Sequence, residues 1–212
     1  MQDWQALEVD CAAIKNITLF DPSFPAPQTG TAVIENGVFK TLVGPEQSFG
    51  DTFEIIDLSS ADQPCWLVPG FVDIGAYLCE PGFEHKGTLL SESKAAFRTG
   101  FSHIAMMPDT DPIIDSPAVV GLIHEKAKCC PIDISPIAAM TKNLAGEQLS
   151  EIFALQNAGC IGVTQSRAPL PDLRLKLRCL EYIATTDLTV FFYPQNSQLA
   201  GAGYAHEGAI AD

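Results

Sequence analysis

The chain has 212 residues, 47% hydrophobic and 18% charged, which excludes a disordered polypeptide and suits one sizeable core, or one domain plus part of another. Its 12 Lys and Arg stand against 26 Asp and Glu, and the net charge of −14 repels phosphate backbones and anionic lipid, so neither nucleic acid nor a membrane surface is expected as a partner. Met1-Gln2-Asp3-Trp4 lacks the basic and apolar regions of a secretory signal, and no apolar run approaches the roughly 20 residues of a membrane span, so a cytoplasmic protein is expected.

Residues 1–65 carry short β-type runs broken by turn residues. The run 14–20 is closed by Asp21-Pro22. Residues 32–35 lead into Asn36-Gly37, a strong hairpin signal, and 38–43 return from it. Residues 53–58 are a further candidate strand. No helical pattern interrupts this segment, so a small strand-rich module is expected.

From Trp66 the rhythm changes to strand, helix, strand, helix. Candidate strands are 71–78, 103–107, 132–138, 161–164 and 189–193. Ser116-Pro117 is an N-cap and first-turn pair that opens a helix with Val120, Ile123 and Ala127 on one face. A helix over 147–158 carries Leu149, Ile152, Phe153 and Leu155 and is stopped by Gly159. A helix over 171–185 carries Leu173, Leu177, Leu180 and Ile183 at helical spacing. The count is five strands and four helices, and their alternation implies a parallel sheet covered by helices. Periodicity alone leaves open whether the sheet is an open one or a (β/α)8 barrel, which needs eight units and typically ~250 residues. No internal repeat or low-complexity segment is present.

Residues Val68-Pro69-Gly70-Phe71-Val72-Asp73-Ile74-Gly75-Ala76-Tyr77-Leu78-Cys79-Glu80-Pro81-Gly82-Phe83-Glu84-His85-Lys86 resemble the first barrel strand of the dihydroorotases, a D-x-H-x-H-x-R-E-P-G run. Met107-Pro108-Asp109-Thr110-Asp111-Pro112 is similar to the family's M-P-N-T-x-P motif after the second strand. Pro136-Ile137-Ala138-Ala139-Met140-Thr141-Lys142 is similar to its third-strand P-I-x-A-x-T-K segment, and 199–208 to the loop after its fifth strand. The blocks stand in the family's order, so the chain resembles dihydroorotases and related cyclic amidohydrolases over nearly its whole length. The resemblance implies an α/β fold: a partial (β/α)8 TIM-type barrel over 66–212, preceded by part of a small β-sandwich over 1–65.

Active members of that family hydrolyse or close a cyclic amide with zinc-bound water. Two histidines at i and i+2 of a strand share a face, so both reach one metal at the strand's C-terminal end. The metal lowers the pKa of its water to about 7 and polarises the carbonyl. Here Gly75 and Tyr77 stand where those histidines belong, and Cys79 stands where an arginine would clamp the substrate carboxylate. Asp109 replaces the asparagine of the second-strand motif and would repel that carboxylate. Gln165 and Ser166 follow Thr164 where the fourth strand carries an aspartate-bearing motif, and Tyr193 stands where the fifth strand ends in a histidine. Gly75 cannot ligate, and the phenol of Tyr77, with an ordinary pKa of about 10, is a poor ligand at neutral pH. The matched positions therefore supply no catalytic residue, no metal ligand and no substrate-binding residue, and no cofactor is expected.

Other residues tempt a functional reading. His85 and Glu84 follow Pro81-Gly82, but catalytic zinc usually takes three protein ligands, so they are read as loop residues. His103, on a strand expected to be buried, is read as a satisfied core histidine; His124 and His206 match no ligand position. Cys79 lacks a nearby histidine base and is read as small filler. Asp109 and Asp111 could pair as acid and base, yet Asp-Thr-Asp-Pro is also an ordinary polar turn, the preferred reading. Gly201-Ala202-Gly203 is too short to cradle phosphate. The seven cysteines (Cys11, Cys65, Cys79, Cys129, Cys130, Cys160 and Cys179) are odd in number and form no C-x-x-C, so reduced, mostly buried thiols are expected. Tyr77, Tyr193 and Trp66 are expected to fill the vacated pocket.

Barrel-building residues without ligands imply a dihydroorotase-like pseudoenzyme with a structural role in pyrimidine biosynthesis. The partner that the resemblance implies is the aspartate transcarbamoylase catalytic subunit, with self-association as a further option. Two alternatives stand beside it: an active dihydroorotase or other cyclic amidohydrolase with a different metal site, and a truncated product of such a protein. A chain ending after five barrel strands would expose both sheet edges and be marginal without a partner.

Overall fold

Asn36 and Gly37 both adopt positive φ, 53° and 69°, the conformation that a two-residue hairpin turn requires. In the computed structural model, which describes residues 10–21, 26–44, 47–61, 64–168, 170 and 172–194, they join β2 (Gln28–Glu35) to β3 (Val38–Val43). β1 (Cys11–Leu19) pairs antiparallel with β2, and its other edge takes β4 (Glu54–Asp57) and then β5 (Cys65–Leu67), both parallel. That change of partner follows a register shift between Ile14 and Ile17, where Asn16 has a φ of 60° and its amide donates to Asp57 Oδ1 at 2.7 Å. The result is one five-stranded sheet with Ala12, Ala13, Ile17, Ala32 and Val33 buried on it. The strand β5 is absent from the sequence expectation because three residues carry no period. Met1–Gly70 form one compact unit and Phe71–Asp212 a second.

The second unit alternates strand and helix: β6 (Phe71–Ala76), α1 (Leu89–Arg98), β7 (Phe101–Met106), α2 (Pro117–Ala127), β8 (Asp133–Ala139), α3 (Ile152–Asn157), β9 (Gly162–Thr164), α4 (Leu173–Ile183) and β10 (Thr189–Phe191). All strand pairs are parallel, in the order β10-β9-β8-β7-β6. The expected strands are all present, with no end displaced by more than two residues; β6 stops at Ala76 and β10 at Phe191. The core lies between sheet and helices, with Met106, Val120, Ile123, Met140, Leu155 and Val163 fully buried. Each such side chain contributes about 1.5–3 kcal/mol relative to exposure.

Local chemistry marks the starts of α1, α2 and α4. Thr88 caps α1, its hydroxyl accepting from the Ser91 amide while the Ser91 hydroxyl accepts from the Thr88 amide. Glu80, buried, adds a carboxylate at the same helix end by accepting from the Leu89 amide at 2.7 Å, and it is ion-paired with Lys126 of α2. Ser116 and Pro117 occupy the expected cap and first turn of α2. Asp172 caps α4 through the amides of Arg174 and Leu175.

Several expectations are corrected. The helix expected over 147–158 begins only at Ile152, because tertiary bonds claim the backbone before it: Lys142 donates to the Gln148 carbonyl at 2.8 Å and Ser150 to the Met140 carbonyl at 3.1 Å. Phe153 is exposed, and Ile152 and Leu155 point inward. On α4 the buried face is Cys179 and Ile183 with Leu175 partly buried, whereas Leu173, Leu177 and Leu180 are exposed. His103 is half-buried and is not a core residue. Of the seven thiols only Cys160 and Cys179 are buried.

Candidate functional site

In a parallel sheet with helical crossovers, the loops leaving the C-terminal strand ends converge on one rim. Here that rim gathers residues from β6, β7, β9 and β10. Asp73 Oδ1 accepts from the Gly75 amide at 2.9 Å, which turns the chain as β6 ends and sets Tyr77 beyond the sheet. Thr164 Oγ1 accepts from the Ser166 amide at 2.9 Å and holds Ser166 at a φ of 53°. A cavity of about 210 Å³ opens between Ile74, Gly75, Tyr77, Met107, Thr164, Ser166 and the segment Phe191, Phe192 and Tyr193.

The polar groups on this rim partner one another. The Ser166 hydroxyl donates its single hydrogen to Asp109 Oδ1 at 2.7 Å, so the 3.3 Å contact between Tyr77 and Ser166 has the phenol as donor. The chain of bonds therefore runs from Tyr77 to Ser166 to Asp109. Asp109 Oδ2 is buried with no partner among the described residues. Arg167 lies over both the Tyr77 and the Tyr193 rings, 5.6 Å from each centroid. Since Tyr77 follows β6 and Tyr193 follows β10, the two lateral ends of the sheet meet across the rim on one guanidinium. Lys176 caps the Phe192 ring at 4.1 Å.

Gln165 belongs to a second network below the rim. Its Oε1 accepts from the Thr141 hydroxyl and its Nε2 donates to the Leu144 carbonyl, both at 3.0 Å. The Thr141 oxygen in turn accepts from the Gly146 amide at 2.9 Å. These bonds pin a short 3-10 turn at Lys142–Leu144, in which Asn143 and Leu144 both have positive φ.

The structure thus brings together Gly75, Tyr77, Asp109, Ser166 and Tyr193, and sets Gln165 just beneath them. Cys79 is half-buried in the first loop, where its carbonyl accepts from the Phe83 amide. Asp109 is not merely a turn residue, as expected, because Ser166 reaches it from β9; Asp111 remains in the turn, its amide donating to the Pro81 carbonyl. Tyr77 and Tyr193 line the cavity and leave it open, and Trp66 belongs to the other compact unit. His85 is exposed, and the Gly82 amide beside Glu84 holds that carboxyl below its usual range. His206 and the block 199–208 lie outside the described residues. Arg167 was not singled out by the sequence; its signal was a cation directly after a strand-end Thr164-Gln165-Ser166, with tyrosines at two other strand ends.

Zinc fits this rim poorly. Its polar side chains include one carboxylate, hydroxyls of Ser166 and Thr164 and two phenols, and Gly75 has no side chain, whereas catalytic zinc takes three ligands from His, Cys, Asp or Glu. Among the described residues no group of three or more His, Cys, Asp or Glu is placed to hold a metal ion. The buried thiol of Cys160 is pushed up to about 12 by burial, which makes it inert. No helix among the described residues is long and apolar enough to cross a membrane.

The family model described as Dihydro-orotase-like matches residues 65–212. A dihydroorotase-like protein of Pseudomonas aeruginosa is 36% identical over 202 residues, covering 94% of this chain and 46% of that protein. One of Pseudomonas putida is 44% identical over 144 residues, covering 68% and 34%. A dihydroorotase of Trichlorobacter lovleyi is 32% identical over 198 residues, covering 92% and 45%. The chain therefore spans less than half the length of these relatives. Among solved structures, the L-hydantoinase (dihydropyrimidinase) from Arthrobacter aurescens superposes with a TM-score of 0.72 at 16% identity, covering 90% of this chain and 42% of that one. That likeness establishes the fold: a parallel half-barrel of the TIM type with a separate sheet before it.

Proposed function

Because the chain belongs to the dihydroorotase-like family, we propose that it is a non-catalytic member whose role is structural, a cytoplasmic scaffold in pyrimidine biosynthesis that associates with the aspartate transcarbamoylase catalytic subunit and supports its assembly. One observation carries the reading: the rim positions that match the family's ligands are engaged with each other. Tyr77 and Tyr193 hold Arg167 between them, and Ser166 ties Tyr77 to Asp109. Gln165 anchors the neighbouring loop. A water nucleophile and a polarised carbonyl both need a metal in this chemistry, and the residues at the rim offer it one carboxylate. The reading implies a protein that retains no stoichiometric zinc.

The test is co-expression with the aspartate transcarbamoylase of the same organism, followed by size-exclusion chromatography. Co-elution at micromolar concentration is the expected result; independent elution of the two proteins overturns the partnership. A second reading, an active cyclic amidohydrolase with a different metal site, has one observation in its favour, the unpartnered Oδ2 of Asp109 at the rim. Stoichiometric zinc together with turnover of dihydroorotate would establish it in place of the first.

A further inference from the structure

The turn that carries Arg167 is fixed before the side chain leaves it. Gln165, 4% exposed, is bonded through both amide atoms. Ser166, equally buried, is held at a φ of 53° by the Thr164 hydroxyl, and the Ala168 amide donates to the Gln165 carbonyl at 3.1 Å to close the turn. From this backbone the Arg167 guanidinium reaches 5.6 Å from the ring centres of both Tyr77 and Tyr193. A third ring of the same cavity, Phe192, takes Lys176 at 4.1 Å. In a chain with only 12 Lys and Arg, two cations over three rings of one cavity mark those ring faces as a place where positive charge is held.

The hydrogen-bond chain beside the rings runs in the direction that strengthens such a hold. Tyr77 donates to Ser166, and Ser166 donates to Asp109 Oδ1, so the phenol is polarised toward a carboxylate one residue removed. A phenol that gives its hydrogen toward an anion has a more electron-rich ring, and a cation is drawn more strongly to its face. A guanidinium is planar and weakly hydrated, so it leaves water for a ring face more readily than an ammonium does. We propose that the rim is an aromatic cage for guanidinium-type cations, that Arg167 is its resident ligand, and that Asp109, acting through Ser166, sets how strongly the cage holds it. Asp109 is here a positioning residue. The contacts that build the cage are made whatever else packs around the rim, and the inference stands apart from the non-catalytic reading, since association with a partner does not enter its readout.

Arg167→Ala empties the cage. Methylguanidinium, the end of the missing side chain, is titrated into this variant and into the wild-type 212-residue chain, and chemical shifts of the tyrosine ring protons report binding. Methylurea serves as the neutral molecule of the same shape. Arg167→Ala is expected to take methylguanidinium about tenfold more tightly than methylurea, and about tenfold more tightly than wild type takes it, an amount that two ring contacts supply. Adding Tyr193→Leu removes both preferences. Adding Asp109→Asn weakens methylguanidinium by about threefold, and this loss disappears where Ser166→Gly, which tolerates the positive φ, has already cut the relay. Arg167→Gln, closer to the original bulk, repeats each measurement, and circular dichroism selects the folded variants. Equal binding by wild type and the Arg167 variants, no preference over methylurea, a preference that survives Tyr193→Leu, or an Asp109→Asn loss that persists without the Ser166 hydroxyl each overturns the proposal.

Discussion

Gln165 stands at a position matched to a lost ligand motif, yet it is 4% exposed and bonded on both amide atoms, so replacing it tests whether the rim has been given over to structure. Gln165→Leu keeps the approximate volume and removes both bonds. It leaves the hydroxyl hydrogen of fully buried Thr141 without an acceptor and strands the carbonyl of half-buried Leu144. A stranded buried group costs about 1–3 kcal/mol, and water can reach Leu144, so the sum is about 2–4 kcal/mol. Against the roughly 5–15 kcal/mol of a typical domain, that is a large fraction. Both tryptophans precede Phe71 and all four tyrosines follow it, so urea unfolding of the barrel unit is read in near-ultraviolet circular dichroism of tyrosine while tryptophan fluorescence reads the other unit. Thr141→Val strands the Gly146 amide and the Gln165 carbonyl oxygen, and the double variant is expected to cost less than the sum of the singles by about 1 kcal/mol. A Gln165→Leu cost below about 0.5 kcal/mol, or a loss confined to the tryptophan signal, refutes the assignment.

Ile123, fully buried on α2, should cost about 2–5 kcal/mol when cut to alanine, read in the same tyrosine transition. Gly82 holds a φ of 103°, and a Cβ there would collide with the Asp111 carbonyl oxygen, so Gly82→Ala should lower stability by about 1–3 kcal/mol for the backbone alone and loosen amide exchange at both loops. Iodoacetamide should modify exposed Cys129 in the native protein and spare Cys160 and Cys179, whose thiols burial pushes up; peptide mass spectrometry reads the order, and fast labelling of Cys160 contradicts it. The hydrogen bond from Lys126 to Glu80, aided by the charge of Glu80, raises the lysine above its ordinary value. A raised folded value stabilises at pH below the unfolded value and is lost as pH climbs through the folded one, so the stability gap between wild type and Lys126→Met should be constant near neutrality and shrink above about pH 10.

The fold was legible where the sequence repeats a pattern long enough to count. Five parallel strands and the caps at Ser116 and Gly159 could be read because alternation, Pro at a first turn and Gly after a last turn each have a local cause. Where a tertiary bond competes, local pattern fails: residues 147–151 have helical spacing but give their backbone to Lys142 and Met140. The exposed stripe of α4 could not be told from its core face, since Leu173, Leu177 and Leu180 have the same spacing that a buried face would have, and only the cations alongside them hinted otherwise. At the rim the matched positions could be named one by one, but not their new partners. Arg167 depends on two tyrosines 90 and 26 residues away in the chain, a proximity that no local signal carries.

The residues that match the family's first-strand run and those that depart from it differ in what they hold. Asp73 turns the chain through the Gly75 amide, Glu80 caps α1 and anchors Lys126, and Gly82 admits the Asp111 backbone at close range. Each of these acts through backbone and needs no metal. The departures, Gly75, Tyr77 and Cys79, alternate with Ala76 and Leu78, and no side chain among them bonds the loop backbone; a Cβ added at Gly75 would meet only the Met107 sulfur at 4.0 Å. The loop is therefore built by one set of side chains and the chemistry by another, so the second set can change while the first loop keeps its shape. A Gly75→His, Tyr77→His variant follows directly: it should still fold cooperatively, because neither side chain supports the loop, with its barrel-unit transition lowered only by the about 0.5–1 kcal/mol that the ring of Tyr77 contributes over Arg167. A collapse of the tyrosine transition in that variant would mean that the rim residues and the frame are one structure after all.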